Sequence, residues 1–169
     1  MKRDSGSAAV TIVTVVTIAA MVAIAATIAF VSPAARAEPY ESDPDLAQRD
    51  EDYAKAKLAM DAKSWDDAVR LFNRAAVRHP DNADLQNYLG YANRNLKKYD
   101  VAIVHYKRAI DLDPRHRGAH EYLGETYLLL DDMAGAERHL KALKDICLLP
   151  CEQLDDLQRA IGQHRLRKS

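Results

Sequence analysis

The segment WDDAVRLFNRAAVRHP at residues 65–80 is written again as YDVAIVHYKRAIDLDP at residues 99–114, an offset of 34 residues. The aromatic opener, the small residue three places on, the second aromatic, the second Ala and the closing Pro all return. A third, fainter copy follows: Trp65 falls on Tyr99 and Met133, Ala68 on Ala102 and Ala136, Phe72 on Tyr106 and Leu140. Upstream of each, Ala56 meets Gly90 and Gly124, and Leu89 meets Leu123; downstream, Ala75 meets Ala109 and Pro80 meets Pro114. A fixed period of this length marks stacked copies of one supersecondary unit, none of which buries its apolar face alone. The chain is thereby restricted to a linear array.

Within a unit the apolar spacing is helical. Leu85, Tyr88, Leu89, Ala92 and Leu96 recur at three and four residues, and Ala102, Ile103, Tyr106, Ala109 and Ile110 do so again after Lys97 and Lys98. Each unit is therefore expected to be two helices joined by a short turn. Start signals agree with this: Ser64 precedes Trp65 with Asp67 three residues on, and Asp81, Asn82 and Asp131 stand where further helices should open. Pro80 and Pro114 close two of the units, because proline cannot continue the helix before it.

The repeated small residues have a steric reason. Two helices approach closely only where one offers a small side chain. Ala56, Gly90 and Gly124 on the first helices, with Ala68, Ala102 and Ala136 on the second, mark these crossings. The bulky Trp65, Tyr99, Phe72 and Tyr106 are expected to fill the space beside them.

This column of small residue, aromatic, Ala and Pro at a 34-residue step resembles the tetratricopeptide repeat. The match is fullest in 83–116, through Leu89, Gly90, Ala92, Tyr99, Ala102, Tyr106, Ala109 and Pro114. The resemblance implies an all-α, right-handed helical solenoid of three helix-turn-helix units, 49–82, 83–116 and 117–148. In 149–169, Leu154, Leu157, Ala160 and Ile161 form one apolar stripe, read as a capping helix over the third unit. The outer units depart from the pattern, with Asp52 and Lys55 at usually apolar places and Met133, Leu140, Leu143 and Leu148 for the aromatics, Ala and Pro.

The resemblance further implies a concave groove, lined by the first helices, that takes an extended peptide or a helix of a partner protein. Its positions fall on Tyr53, Lys57 and Met60, then Asn87, Tyr91, Arg94 and Asn95, then Glu121, Glu125 and Leu128. The subfamily that clamps a chaperone's terminal carboxylates needs Lys, Asn and Arg where this chain has Tyr53, Lys57, Tyr88, Gly118 and Tyr122. One cation in that set does not make such a clamp.

Residues 1–37 read differently from the rest. Lys2 and Arg3 precede an uncharged run rich in Val, Ile, Ala and Thr that ends in Ala35, Arg36 and Ala37. These are the parts of a secretory signal, yet the apolar run exceeds the roughly 7 to 15 residues usual for one and passes the roughly 18 that span a bilayer. Cleaved signal and retained membrane anchor both fit, and in each case the positive-inside rule carries everything after Ala37 across the membrane. The expected location is the periplasm or cell envelope of a bacterium, with 38–48 as a polar leader into the first helix. The 24 Lys and Arg against 25 Asp and Glu are mixed along every segment, which is no footprint for nucleic acid.

Chemistry is sparse. Cys147 and Cys151 flank Leu148, Leu149 and Pro150; in an oxidising compartment a structural disulfide is the simplest reading, with metal or redox work and free thiols as the others. His116 and His120 could share a helix face, but no pattern supplies further metal ligands. There is no Gly-rich phosphate loop, G-x-S-x-G, H-E-x-x-H or C-x-x-C, so neither an enzyme nor a cofactor is expected. Three functions remain: an exported protein-binding module, a redox or metal-handling protein built on the cysteines, and a structural subunit that self-associates through its end faces. The crossing geometry carries a direct test. Ala102→Leu is expected to destabilise by about 1 to 3 kcal/mol through overpacking, measured by chemical denaturation.

Overall fold

The computed structural model describes residues 49–168, so the expected targeting segment and the leader lie outside the described residues. Among the described residues the elements are all helices: α1 Glu51–Asp61, α2 Trp65–Arg78, α3 Ala83–Asn95, α4 Tyr99–Leu112, α5 Arg117–Leu129, α6 Met133–Ile146 and α7 Glu152–Lys168. None of them is long and apolar enough to cross a membrane. Each helix packs on the next, α3 also touches α5, and α7 returns against both α5 and α6. The pairs α1–α2, α3–α4 and α5–α6 thus stack as a right-handed solenoid with α1, α3 and α5 along its concave side.

The small residues sit where the helices cross. Ala56, Ala68, Ala102 and Ala136 are fully buried. A Cβ added at Gly90 would lie 2.6 Å from Cδ1 and Cε1 of Tyr106, whose ring is itself fully buried. At Gly124 the arrangement changes, because the Cβ position is taken by Leu157 of α7 at 2.6 Å. The third unit has Leu140 where the second has Tyr106, and Leu140 is only half-buried. The capping helix supplies the side chain that the missing aromatic would have furnished, which explains why α7 is needed and where it docks. Leu128, Ala136, Leu143, Leu157 and Ile161 close the core at that end.

Trp65 departs from expectation. It is only partly buried and sits edge-on to Tyr91 of the next unit, ring centroids 5.8 Å apart, at the rim of the concave face. Phe72 and Tyr106, each fully buried, are the aromatics that fill the crossings.

The helix caps also correct the sequence reading. Asn82 Oδ1 accepts from the Leu85 amide at 2.8 Å as expected. Ser64 caps no backbone amide and donates instead to Asp67 Oδ2 at 3.0 Å. For α6 the cap is Asp132, accepting from the Gly135 amide at 2.7 Å, while Asp131 lies one step earlier at φ 60°. His116 caps α5 through Nδ1, which accepts from the Ala119 amide at 3.1 Å.

Asp131 belongs to a set invisible in the composition. Lys63, Lys97 and Asp131, spaced at the repeat period, all adopt left-handed backbone with φ of 58°, 60° and 60°. The amide that follows each reaches back five residues: Ser64 to Ala59 O at 2.8 Å, Lys98 to Asn93 O at 2.9 Å, Asp132 to Tyr127 O at 2.9 Å. This is the Schellman termination, in which the left-handed residue turns the chain so that an orphan carbonyl is satisfied. Glycine normally holds that place because a Cβ there meets the following carbonyl. Lys97→Gly is therefore expected to stabilise the protein by about 1 kcal/mol, read as an upward shift of the denaturation midpoint with unchanged slope.

Candidate partner-binding groove

Residues three and four apart share a helix face, so α1, α3 and α5 present parallel stripes to the concave side. Between the turn that follows α1 and the aromatic residues of α3 and α5 lies a cleft of about 380 Å³ walled by Lys57, Met60, Trp65, Tyr88, Tyr91 and Tyr122. Tyr91 is its centre, with ring centroids 5.8 Å from Trp65 and 5.1 Å from Tyr122. The Arg94 guanidinium lies 5.3 Å from the Tyr91 ring and 5.2 Å from the Tyr122 ring, and its charge is paired with Glu125. Lys57 Nζ stands 4.0 Å above the Tyr88 ring. Both cations are thus held on aromatic faces, where the ring quadrupole attracts them.

Seven of the ten residues that the family pattern assigns to the groove divide between two clefts. Lys57, Met60 and Tyr91 wall the central cleft. Arg94, Asn95, Glu125 and Leu128 border an adjoining cleft of about 400 Å³ whose far side is formed by Gln163 and Arg167 of α7. Asn95 is exposed and donates to Tyr91 O at 2.9 Å. Tyr53 is a correction: it is 8% exposed, edge-on to Phe72 at 5.8 Å and Tyr88 at 6.1 Å, and belongs to the core. Leu128 likewise packs into the core cluster with Leu143 and Leu157, leaving only an edge toward the cleft. Asn87 and Glu121 are buried, 5% and 7% exposed, and line neither cleft. Trp65, at a space-filling position of the repeat, and Tyr88 and Tyr122, at clamp-equivalent positions, furnish most of the cleft. The available signal was spacing, since Tyr88 and Tyr122 are one repeat apart and Tyr91 lies one turn beyond Tyr88.

Two buried groups have displaced protonation. Burial first, then the nearby carboxylates of Glu125, Asp156 and Glu152, pushes Glu121 up to about 8, against the opposing pull of Arg94. On the other side of α5, His120 Nε2 donates to Pro114 O at 3.2 Å, so its Nδ1 accepts from His139 Nδ1 at 3.0 Å. Tyr127 stacks on His139. Burial, the His120 ring and the cations of Arg138 and Lys107 hold His139 down at about 4. His116 faces away, with Nε2 3.0 Å from Asp84 Oδ1, so the structure does not bring His116 and His120 together as a ligand pair. Among the described residues no three His, Cys, Asp or Glu converge as metal ligands. Cys147 and Cys151 flank the turn between α6 and α7, with Cα atoms 6.2 Å apart and sulfurs in bonding contact, and between them Leu148 and Leu149 are exposed.

Helical pairs at a constant period, small residues at their crossings and an aromatic-lined concave face define a helical-repeat solenoid. The tetratricopeptide repeat profile matches residues 53–114 and again 96–147, more than half of the sequence, and the chain belongs to that family. It is 31% identical over 97 residues to the inactive TPR repeat-containing thioredoxin TTL3 of Arabidopsis thaliana. The match covers 57% of this chain and 13% of that protein's length, so the chain corresponds to a small part of that relative. Among solved structures, the TPR2B domain of yeast Sti1 in its pHsp70 complex superposes with a TM-score of 0.64 at 19% identity, covering 72% of this chain and 98% of that one. The Yersinia enterocolitica type III secretion chaperone SycD, in complex with a peptide of the translocator YopD, gives 0.64 at 19% identity over 77% of this chain and 100% of its own. At this identity the likeness establishes the fold.

The displaced groups set opposite pH limits. Glu121 is raised to about 8 from 4.5, so above pH 4.5 the unfolded chain ionises while the folded one resists, and stability falls until about pH 8. His139 is lowered to about 4 from 6.5, so below pH 6.5 the unfolded chain takes a proton that the folded one refuses, and stability falls toward pH 4. Thermal melts are expected to show Glu121→Gln raising the melting temperature above pH 7 and leaving it unchanged near pH 4.

Proposed function

We propose that this protein is an exported, non-enzymatic binding module that holds a peptide or helix of another protein in its concave groove. The observation that carries the reading is the cleft centred on Tyr91, where the aromatic faces of Trp65, Tyr88, Tyr91 and Tyr122 line an open, already shaped surface and Arg94 stands against two of the rings from the adjoining cleft. Tyr and Arg concentrate binding energy because they combine wide contact with directed hydrogen bonds. A groove held rigid by neighbouring helices loses little ordering entropy when a ligand arrives. Sti1 in its pHsp70 complex and SycD with its YopD peptide support the same use of a like fold.

Export, by signal peptide or by an uncleaved anchor in residues 1–37, would place the module in a bacterial periplasm or cell envelope, where its role is to scaffold an assembly or to accompany another exported protein. The two cysteines then act as a structural staple on the turn before α7. The turn they flank leads directly into α7, whose Leu157 fills the crossing at Gly124, which favours that role over redox or metal work.

Tyr91→Ala is expected to abolish capture of the protein partner by the immobilised full chain while far-ultraviolet circular dichroism stays unchanged. A capture profile identical to the parent's overturns the groove reading. Thiol titration of the unfolded, unreduced protein is expected to find no free cysteine.

A further inference from the structure

Resting on the groove reading, we infer that the cleft between the α3–α4 turn, α5 and α7 is a docking site for an acidic side chain flanked by apolar ones on the bound partner segment. The cleft, of about 400 Å³, sets Arg94, Lys97 and Arg167 against a single carboxylate, Glu125, beside an apolar floor of Leu129 and Ala160. Arg94 and Glu125 answer each other. Lys97 and Arg167 form no ion pair among the described residues, so the cleft holds two uncompensated positive charges on opposite walls.

The neighbours of both cations in the chain do find carboxylates. Lys98 stands 3.8 Å from Asp66, and on the last turn of α7 Arg165 meets Glu137 at 2.6 Å and Lys168 meets Asp131 at 3.0 Å. Arg167 feels Asp131 only at a distance, where Lys168 already answers it. The fold thus pairs the charges next to the cleft and leaves unpaired two that border it.

Backbone conformation is an independent observation. Lys97 is held at φ 60°, where a Cβ is penalised and glycine is favoured. Its side chain is therefore present at a cost to the fold, and residues held against such a cost gather at functional sites. In the third unit the equivalent residue, Asp131, spends its side chain on Lys168 of α7. The Lys97 ammonium has no such use within the chain and borders the cleft.

The occupant follows from the donor set. Ammonium and guanidinium groups only donate hydrogen bonds and an ionised carboxylate only accepts them, so the two form charge-assisted pairs. Tyr99 and Gln163 add neutral donors on the same walls. Leu129, 57% exposed, and half-buried Ala160 offer apolar contact beside the charges, which a free inorganic anion would not use. A segment that alternates apolar and acidic residues satisfies both.

Fluorescence anisotropy of the full chain in non-ionic detergent, with empty micelles as the blank, tests the site against three labelled hexapeptides that alternate leucine with glutamate, glutamine or lysine. The glutamate peptide is expected to bind at least about tenfold more tightly than the glutamine peptide, and the lysine peptide is expected not to bind. Lys97→Gly is expected to raise the denaturation midpoint and yet to weaken the glutamate peptide by about tenfold, a pairing of effects that a purely structural lysine would not give. Arg167→Gln is expected to weaken it comparably, and Lys97→Arg, which keeps the charge, to hold affinity within about threefold. Lys107→Gln, at an exposed position of α4, removes the same charge elsewhere and is expected to change affinity by less than about twofold. An equal loss in Lys107→Gln, unchanged affinity in Lys97→Gly and Arg167→Gln, equal binding of the glutamate and glutamine peptides, or preference for the lysine peptide would each overturn the docking site. Failure of all three peptides also overturns it, and loss of partner capture in Tyr91→Ala then keeps the groove without it.

Discussion

The close approach of helices at Gly90, Ala102 and their repeat equivalents is the constraint on which the rest of the structure depends. Where Tyr106 lies against Gly90, the ring occupies the volume a Cβ would need, and this contact sets the distance between α3 and α4. The next pair can stack only at a matching distance, so the spacing within each pair governs how the array curves. Interiors packed this tightly deform little. The concave face therefore has a definite shape without any ligand to impose it.

At its far end the array solves a problem of its own composition. Leu140 cannot reach into the crossing as Tyr106 does, and Gly124 would face a void. α7 supplies Leu157 to that place, and the turn that brings it there is the one flanked by Cys147 and Cys151. The same helix brings Glu152 and Asp156 near Glu121. A single element thus closes the core and completes the electrostatics of the candidate site, linking fold stability to the chemistry of the concave face.

Charge along the concave face is organised by what each side chain can lean on. Arg94 and Lys57 rest on aromatic rings, and Arg94 also answers Glu125. Glu121, one turn from Glu125, forms no ion pair among the described residues, feels Arg94 only at a distance, and is left in a protonated state that costs stability as pH rises. Sites that hold a group against its solution preference are where a protein departs from its own stability optimum, and such departures collect where ligands bind.

Much of the architecture was legible in the sequence, because periodicity and steric size are properties of the residues themselves. The 34-residue step, the helical spacing and the small residues at crossings demand stacked helical pairs, whatever the surroundings. The turns were less legible: lysine at positions 63 and 97 carries no mark of left-handed backbone, and only the pairing of the following amide with a carbonyl five residues back enforces it. The cap on α6 fell on Asp132 rather than Asp131 for the same reason. The groove was half legible. Position along a helix told which residues face the concave side, but depth depends on what the neighbouring helices place above each side chain. Tyr53 and Leu128 were drawn into the core, Trp65 was pushed to the rim, and Tyr88 with Tyr122 became walls. The pairing of His120 with His139 and the meeting of Glu121 with Glu152 and Asp156 join segments far apart in the chain, and no local rule anticipates them. The sequence by itself determined the repeat, its helices and the class of surface they make. Only tertiary packing decided which side chains reach that surface and in what protonation state, because burial and neighbouring charge exist only once separate helices are brought together.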